Sequence, residues 1–195
     1  MKPQQFSVCV YCGSRAGNDQ EYGQIAAAIG VLFAQHRIAM VYGGGSVGLM
    51  GIAARACLAA GGTVTGVITE QLEALEVGLD SVTEKYLVPD MHARKLRMFD
   101  LSDGFIALPG GSGTLDEIAE ILSWRQLGLH EKPCILLNHR GFWEPLAKLL
   151  AQMHDHGFLS QSGRDYFQLA GTPAQALSLL NAQIAPANRP ANLSN

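Results

Sequence analysis

Pro109-Gly110-Gly111-Ser112-Gly113-Thr114-Leu115-Asp116-Glu117 lies between two stretches of different periodicity. Before it, Gly104-Phe105-Ile106-Ala107-Leu108 is a short apolar run, the signature of a buried strand. After it, Ile118-Ala119-Glu120-Ile121-Leu122 reads as helix, and the pattern carries the expected helix from Leu115 to about Leu127, where Gly128 ends it. The stretch is therefore a strand-to-helix turn. Its glycines let backbone approach a ligand closely. The helix start behind them presents unpaired N–H groups and the positive end of a dipole, which is a site for phosphate. Thr114 and Glu117 add a hydroxyl and a carboxylate, pointing to chemistry on a phosphorylated small molecule. The same two residues also fit a capping box, Thr to the third N–H and Glu back to the first. Both readings stand on the sequence.

Outward from this turn, strands and helices alternate. Phe6–Tyr11 reads as a strand, Cys12-Gly13-Ser14-Arg15 as the turn after it, and Glu21–Gln35 as a helix. Ile38–Tyr42 is a second strand. The turn that follows, Gly43-Gly44-Gly45-Ser46-Val47-Gly48, matches G-x-G-x-x-G and leads into a helix through Ala60. That motif favours a nearby nucleotide or phosphate over bound NAD, because it does not follow the first strand and Glu70 would have to serve as the ribose acid. Thr63–Ile68 is a third strand. Thr69–Val82 is a loop or short helix whose Glu70, Glu73 and Glu76 read as a solvated acidic face. Thr83–Val88 is a short strand, and Asp90 caps a helix from Met91 to Leu101.

On that helix, positions 91, 94, 95 and 98 share a face. Arg94 and Lys95 lie between two methionines and need partners, with a ligand or Glu117 as candidates; Arg97 points into solvent. Further on come a strand at Cys134–Leu137, a helix at Phe142–His154, an edge strand at Tyr166–Leu169 and a helix at Pro173–Asn181. The alternation predicts an α/β, single-domain, Rossmann-like fold with a mostly parallel sheet and helices on both faces. The three Gly-rich turns should meet at the carboxyl edge of that sheet. The domain is expected to span residues 1–184, with a disordered tail at 185–195.

Composition narrows the partners. Of 195 residues, 48% are hydrophobic and 16% charged, fitting a chain with a large core. A net charge of −3 with no basic block argues against nucleic acid as the main partner. No apolar run reaches the roughly 18–20 residues of a membrane span, and the first residues show no signal peptide. Cys9, Cys12, Cys57 and Cys134 read as buried thiols of a protein in the reducing cytoplasm. Cys9-x-x-Cys12 has no second pair to complete a metal site. His154 and His156, two apart on a helix, do not share a face. No metal or cofactor is called for.

Met91-His92-Ala93-Arg94-Lys95, followed by the stretch from Pro109 to Glu117, resembles the paired signature of the Lonely Guy (LOG) family, the cytokinin riboside 5′-monophosphate phosphoribohydrolases. Cys12-Gly13-Ser14, the turn from Tyr42 through Gly48-Leu49-Met50-Gly51, and Trp124-x-Gln126-Leu127-Gly128 with Lys132-Pro133 fit as well. The resemblance covers roughly residues 6–180. It implies hydrolysis of the N-glycosidic bond of AMP or an N6-modified AMP, releasing free base and ribose 5-phosphate. Arg94 and Glu117 are the implied catalytic pair. Implied nucleotide contacts are Lys95, Gly111, Ser112, Gly113 and Thr114, with Glu76 and Ser123 at further contact positions; Ser14, Gly44, Gly45 and Gly110 are read as substrate contacts from their place in turns at the carboxyl edge of the sheet. Ser112 stands where members often have Tyr, and Ser123 where many have Thr. A homodimer is implied, with the helix from Leu115 to Leu127 near its interface. Such proteins are often labelled lysine decarboxylases, yet the sequence shows no lysine site for pyridoxal phosphate. Two other classes remain: a nucleotide-binding regulatory or carrier protein, and an NAD(P)-dependent oxidoreductase using the Gly43–Gly48 turn.

Overall fold

β1 (Ser7–Tyr11) lies at the centre of a seven-stranded sheet in a computed structural model that describes residues 6–75, 78–160 and 166–187. Its side chains alternate between two apolar layers. Val8 and Val10 join the core on one face, while Cys9 and Tyr11 join the core on the other. A strand covered on both faces needs apolar residues at every position, which is why β1 reads as a continuous run. β5 (Gly104–Ala107) and β6 (Cys134–Leu137) follow the same rule.

The strand order is β4-β3-β2-β1-β5-β6-β7, and every neighbouring pair is parallel. β2 is Ala39–Tyr42, β3 Val64–Thr69, β4 Glu84–Val88 and β7 Gln168–Ala170. One face is covered by α1 (Gln20–Gln35), α2 (Gly48–Ala59) and α7 (Pro173–Ala187). The other is covered by α4 (Met91–Asp100), α5 (Ser112–Gln126) and α6 (Glu144–Asp155). α3 (Glu70–Leu75) is a short helix after β3. The fold is the expected Rossmann-like α/β arrangement.

Strand order reverses between β1 and β5. Ligands bind at such a switch point, outside the carboxyl ends of the strands. There the two turns are tied together: Gly13 N–H donates to Pro109 O at 3.1 Å, and Leu49 N–H donates to Gly13 O at 3.0 Å.

Several boundaries differ from the sequence reading. α5 begins at Ser112 rather than Leu115, because Gly111 is its cap. α6 begins after a 3₁₀ turn at His139–Gly141. α7 continues past Asn181 to Ala187 and takes in the first three residues of the segment read as a tail. Asp90 caps α4 as expected, its carboxylate accepting from Ala93 N–H at 2.8 Å.

Phe105 is fully buried and stacks on both Tyr11 and Phe99, with ring centroids 5.9 and 5.8 Å away. Phe105→Ala should cost about 3–5 kcal/mol of unfolding free energy, as large-to-small changes of buried aromatic rings do. Urea denaturation checks this; a loss under 1 kcal/mol would show that the layer repacks around the gap.

Candidate functional site

α5 supplies both ends of the site. Gly111 has extended backbone, and the first intrahelical bond runs from Leu115 N–H to Gly111 O at 3.0 Å. The N–H groups of Ser112, Gly113 and Thr114 thus lie ahead of the helical ladder. A methyl added at Gly111 or Gly113 would meet nothing within 4 Å, so the turn is open where an anion would sit. It borders a cavity of about 600 Å³.

Glu117 is one turn further along, 8% exposed. Its carboxylate does not turn back to the helix start. Oε1 accepts instead from Arg94 Nη1 at 3.2 Å. Thr114 is inside the helix rather than at its cap, and no side chain caps α5. The capping-box reading therefore fails: the helix starts two residues before Thr114, and the carboxylate is directed to a cation on α4.

Arg94 is buried and spends its guanidinium on three fixed acceptors. Besides Glu117, Nε donates to Val67 O at 3.0 Å and Nη2 to Gly43 O at 3.1 Å. Gly43 has to be glycine for this to happen, because a Cβ there would lie 1.8 Å from Nη2. The pair is thus held across the ends of β2 and β3 by α4 and α5. Burial is the largest influence on Glu117 and raises its pKa; Arg94 pulls it down, Asp116 pushes it up, and the result is about 7. Burial outweighs the salt bridge, so the carboxyl changes charge near neutrality. A group of this kind is suited to acid–base work.

The cavity brings together Ser14, Arg94, Gly110, Gly111, Ser112, Gly113, Thr114 and Glu117. Other expected contacts lie elsewhere. Lys95 is next to Arg94, but a helix turns about 100° per residue, so it leaves the cavity and pairs with Asp116 at 3.1 Å and Glu120 at 3.3 Å. Ser123 is further down α5, where its hydroxyl donates to Ala119 O at 2.7 Å. Gly43 alone of its turn lines the cavity: Gly44 lies against β3, and Gly45 makes an isolated bridge to Gly78. Glu76 falls outside the described residues. Glu73, expected to be solvated, pairs with Lys85 at 2.7 Å, and Arg97 sits over the Tyr86 ring at 4.2 Å.

The G-x-G-x-x-G turn does not present an open helix start. A Cβ at Gly48 would fall 2.3 Å from the carbonyl of Ser14, because the loop after β1 rests on the start of α2. That space is filled by backbone, which removes the place of a dinucleotide pyrophosphate. All four cysteines are free and buried. Burial pushes the Cys134 thiol up to about 12 and raises Cys9 and Cys12 as well, with Glu117 adding to the rise in both, so none is a ready thiolate. Sequence patterns did not indicate the acceptors Gly43 O and Val67 O, since a backbone carbonyl carries no residue signature. Tyr22 and Phe142, which also line the cavity, went unnoticed for want of a motif around them.

Together these features define a Rossmann-like protein with an open, Gly-rich helix start at the switch point and a buried Arg–Glu pair beside it. The chain matches the family described as "possible lysine decarboxylase" over residues 50–180. It is 45% identical to the cytokinin riboside 5′-monophosphate phosphoribohydrolase of Rhodococcoides fascians over 84% of this chain and 83% of that one. A protein of the same description from Arabidopsis thaliana is 44% identical over 80% of this chain and 74% of its own. The chain belongs to the LOG family of cytokinin riboside 5′-monophosphate phosphoribohydrolases. The Moco carrier protein of Chlamydomonas reinhardtii shares the fold, with a TM-score of 0.73, 23% identity, and coverage of 94% of this chain and 99% of that one. The decarboxylase description does not suit the site: among the described residues no lysine lines the cavity, so pyridoxal phosphate would find no amine for its imine linkage.

The raised pKa of Glu117 carries a signed consequence. A carboxyl whose folded pKa exceeds its unfolded value favours the folded state when protonated. That stability is full below about 4.5 and is lost as pH rises through about 7. The difference corresponds to about 3 kcal/mol. Glu117→Gln removes the titration, so the stability of the parent relative to this variant should fall by about that amount from pH 4 to pH 8.5. Paired urea titrations measure it, and a constant difference would show an ordinary carboxylate.

Proposed function

We propose that the protein hydrolyses the N-glycosidic bond of AMP or N6-modified (cytokinin) nucleoside 5′-monophosphates, releasing free base and ribose 5-phosphate. The observation that carries this is the buried Glu117 carboxyl, held by Arg94 one helical turn below an open phosphate cradle. The phosphate binds the free N–H groups of Ser112, Gly113 and Thr114. Its binding energy positions the ribose over Glu117. As the bond to the base breaks, positive charge develops on the ribose ring. The Glu117 carboxylate stabilises that charge and accepts a proton from the attacking water. Its second oxygen makes no hydrogen bond to protein among the described residues, which leaves it available to substrate and water. Arg94 holds Oε1 in place. Three of its five N–H groups are committed to protein acceptors, which supports this positioning role. No step calls for a metal or an organic cofactor.

Pure protein incubated with AMP should release adenine and ribose 5-phosphate, and activity should survive exhaustive chelation. Glu117→Gln should fold yet lose turnover by about 100-fold or more, as removal of a general base does. Arg94→Ala should lose turnover as well. For the parent, kcat/KM should rise with pH through about 7 as Glu117 ionises. Tight AMP binding without base release, from AMP or its N6-modified forms, would instead mark a nucleotide-binding regulatory protein.

We also place the protein in solution as a homodimer in a reducing, cytoplasmic setting. Leu115 and Leu127 on and after α5, together with Met91 and Leu96 on α4, are exposed apolar side chains flanking the catalytic elements. Such a cluster supports an interface there. The four free thiols are in keeping with a reducing compartment. Sedimentation should give a dimer mass, and Leu127→Glu should shift it toward monomer; a monomeric parent would sink the dimer reading.

A further inference from the structure

The cavity wall formed by the loop after β1 has a construction that the reaction above does not use. Among the described residues, three charged ones line the cavity: Arg15, Arg94 and Glu117. Arg94 and Glu117 neutralise each other. A phosphomonoester brings up to two negative charges, and a helix start supplies roughly half a positive charge. Arg15, exposed on the loop, makes no ion pair among the described residues. The charge left for the phosphate is therefore that of Arg15.

Position matters for an arginine on a loop, and the loop is held by the turn after β6, two strands away on the same carboxyl edge of the sheet. Gly17, with φ +78, lies so close to Tyr22 that a Cβ there would come within 2.8 Å of the ring. Tyr22 packs edge-on against His139 and Phe142, at 6.0 and 6.1 Å between centroids. Between these two residues stands Arg140, with φ +50, a conformation that L residues rarely adopt. Its guanidinium reaches Asp19 Oδ2 at 2.7 Å and Glu21 Oε1 at 2.5 Å, and His139 Nε2 reaches Glu21 Oε2 at 2.8 Å. Asp19 also caps α1 through Glu21 N–H. A strained backbone persists where its surroundings over-determine it, and such places cluster at working sites. Here the strained turn grips the end of the loop that carries Arg15.

We propose that Arg15 is the phosphate-binding cation of this site and that Arg140 is the positioning residue that holds its loop over the cradle. The substrate in this statement rests on the nucleotide reading above; the clamp itself does not. Arg140 is more than half exposed, so its ion pairs add little to global stability. Their effect is on where the loop stands.

Two readouts test this. Arg15→Ala should raise KM for AMP about tenfold, the size of one charge-assisted hydrogen bond, with Arg15→Lys retaining most of the affinity. Arg140→Gly accepts the positive φ and removes only the side chain. It should raise KM in the same direction with kcat and Tm preserved. Glu21→Gln should do likewise, and the double variant should lose less than the sum of the two single variants, as residues sharing a contact require. Independently of turnover, tryptic cleavage after Arg15, followed by mass spectrometry, should be faster in Arg140→Gly and Glu21→Gln than in the parent. An unchanged KM in Arg15→Ala, or unchanged cleavage after Arg15 in both clamp variants, overturns the proposal. If AMP and its N6-modified forms yield no base, the function above has failed; the dissociation constant of ribose 5-phosphate, by calorimetry, then replaces KM and the proteolytic test stands as it is.

Discussion

Arg94 and Glu117 form an ion pair with side chains only 7% and 10% exposed. Two charges out of water are costly, and their mutual attraction repays that only when remaining donors are satisfied. The fold goes toward this condition by aiming two carbonyls, Gly43 O just past the end of β2 and Val67 O inside β3, at the same guanidinium. The carbonyls require β3 to run on past the end of β2. The missing side chain at position 43 lets the cation in, and Met98, buried on the same helix, seats α4 against the sheet. Removing one partner of such a pair costs about 3–5 kcal/mol. The pair is thus both a chemical device and a constraint on four elements.

On the proposed function, α5 works as a ruler between two chemical tasks. A helix rises about 1.5 Å per residue, so Glu117 sits about 4.5 Å along the axis from the last cradle N–H. An anchored phosphate and a reacting sugar carbon require a separation of this order, on one face of one rigid element. Rigid placement matters because catalysis by proximity is lost with small displacements. The open side of the cradle and the closed side of the pair meet in one cavity, so a single ligand can engage both.

Much of this was legible because local pattern and global position agreed. Continuous apolar runs in β1 and β5 announced strands buried on both faces, and Asp90 announced the start of α4. Where one local pattern served two purposes, sequence could not choose: Thr114 and Glu117 fit a capping box until the helix is seen to begin at Ser112. The Gly43–Gly48 turn had a dinucleotide fingerprint, but the space it would need is taken by a loop about 30 residues earlier in the chain. Lys95 shared an apparent face with Arg94, yet acids on α5 draw it outward. The acceptors for Arg94 are backbone atoms and leave no trace in residue type. The His139–Arg140 turn became meaningful only once it was seen against Asp19 and Glu21, more than 100 positions away.

The reversal of strand order has a consequence for synthesis. β1 is made first, but its neighbour β5 begins at Gly104. Until that strand emerges from the ribosome, the growing sheet β4-β3-β2-β1 ends in β1, whose unpaired N–H and C=O groups flank Val8, Cys9, Val10 and Tyr11. An apolar edge of this kind is a template for pairing with another chain. A strand that ends up covered on both faces is thus an open apolar edge of the nascent chain. Its protection arrives in the same stretch of translation as the Pro109–Thr114 turn and Glu117, which line the cavity.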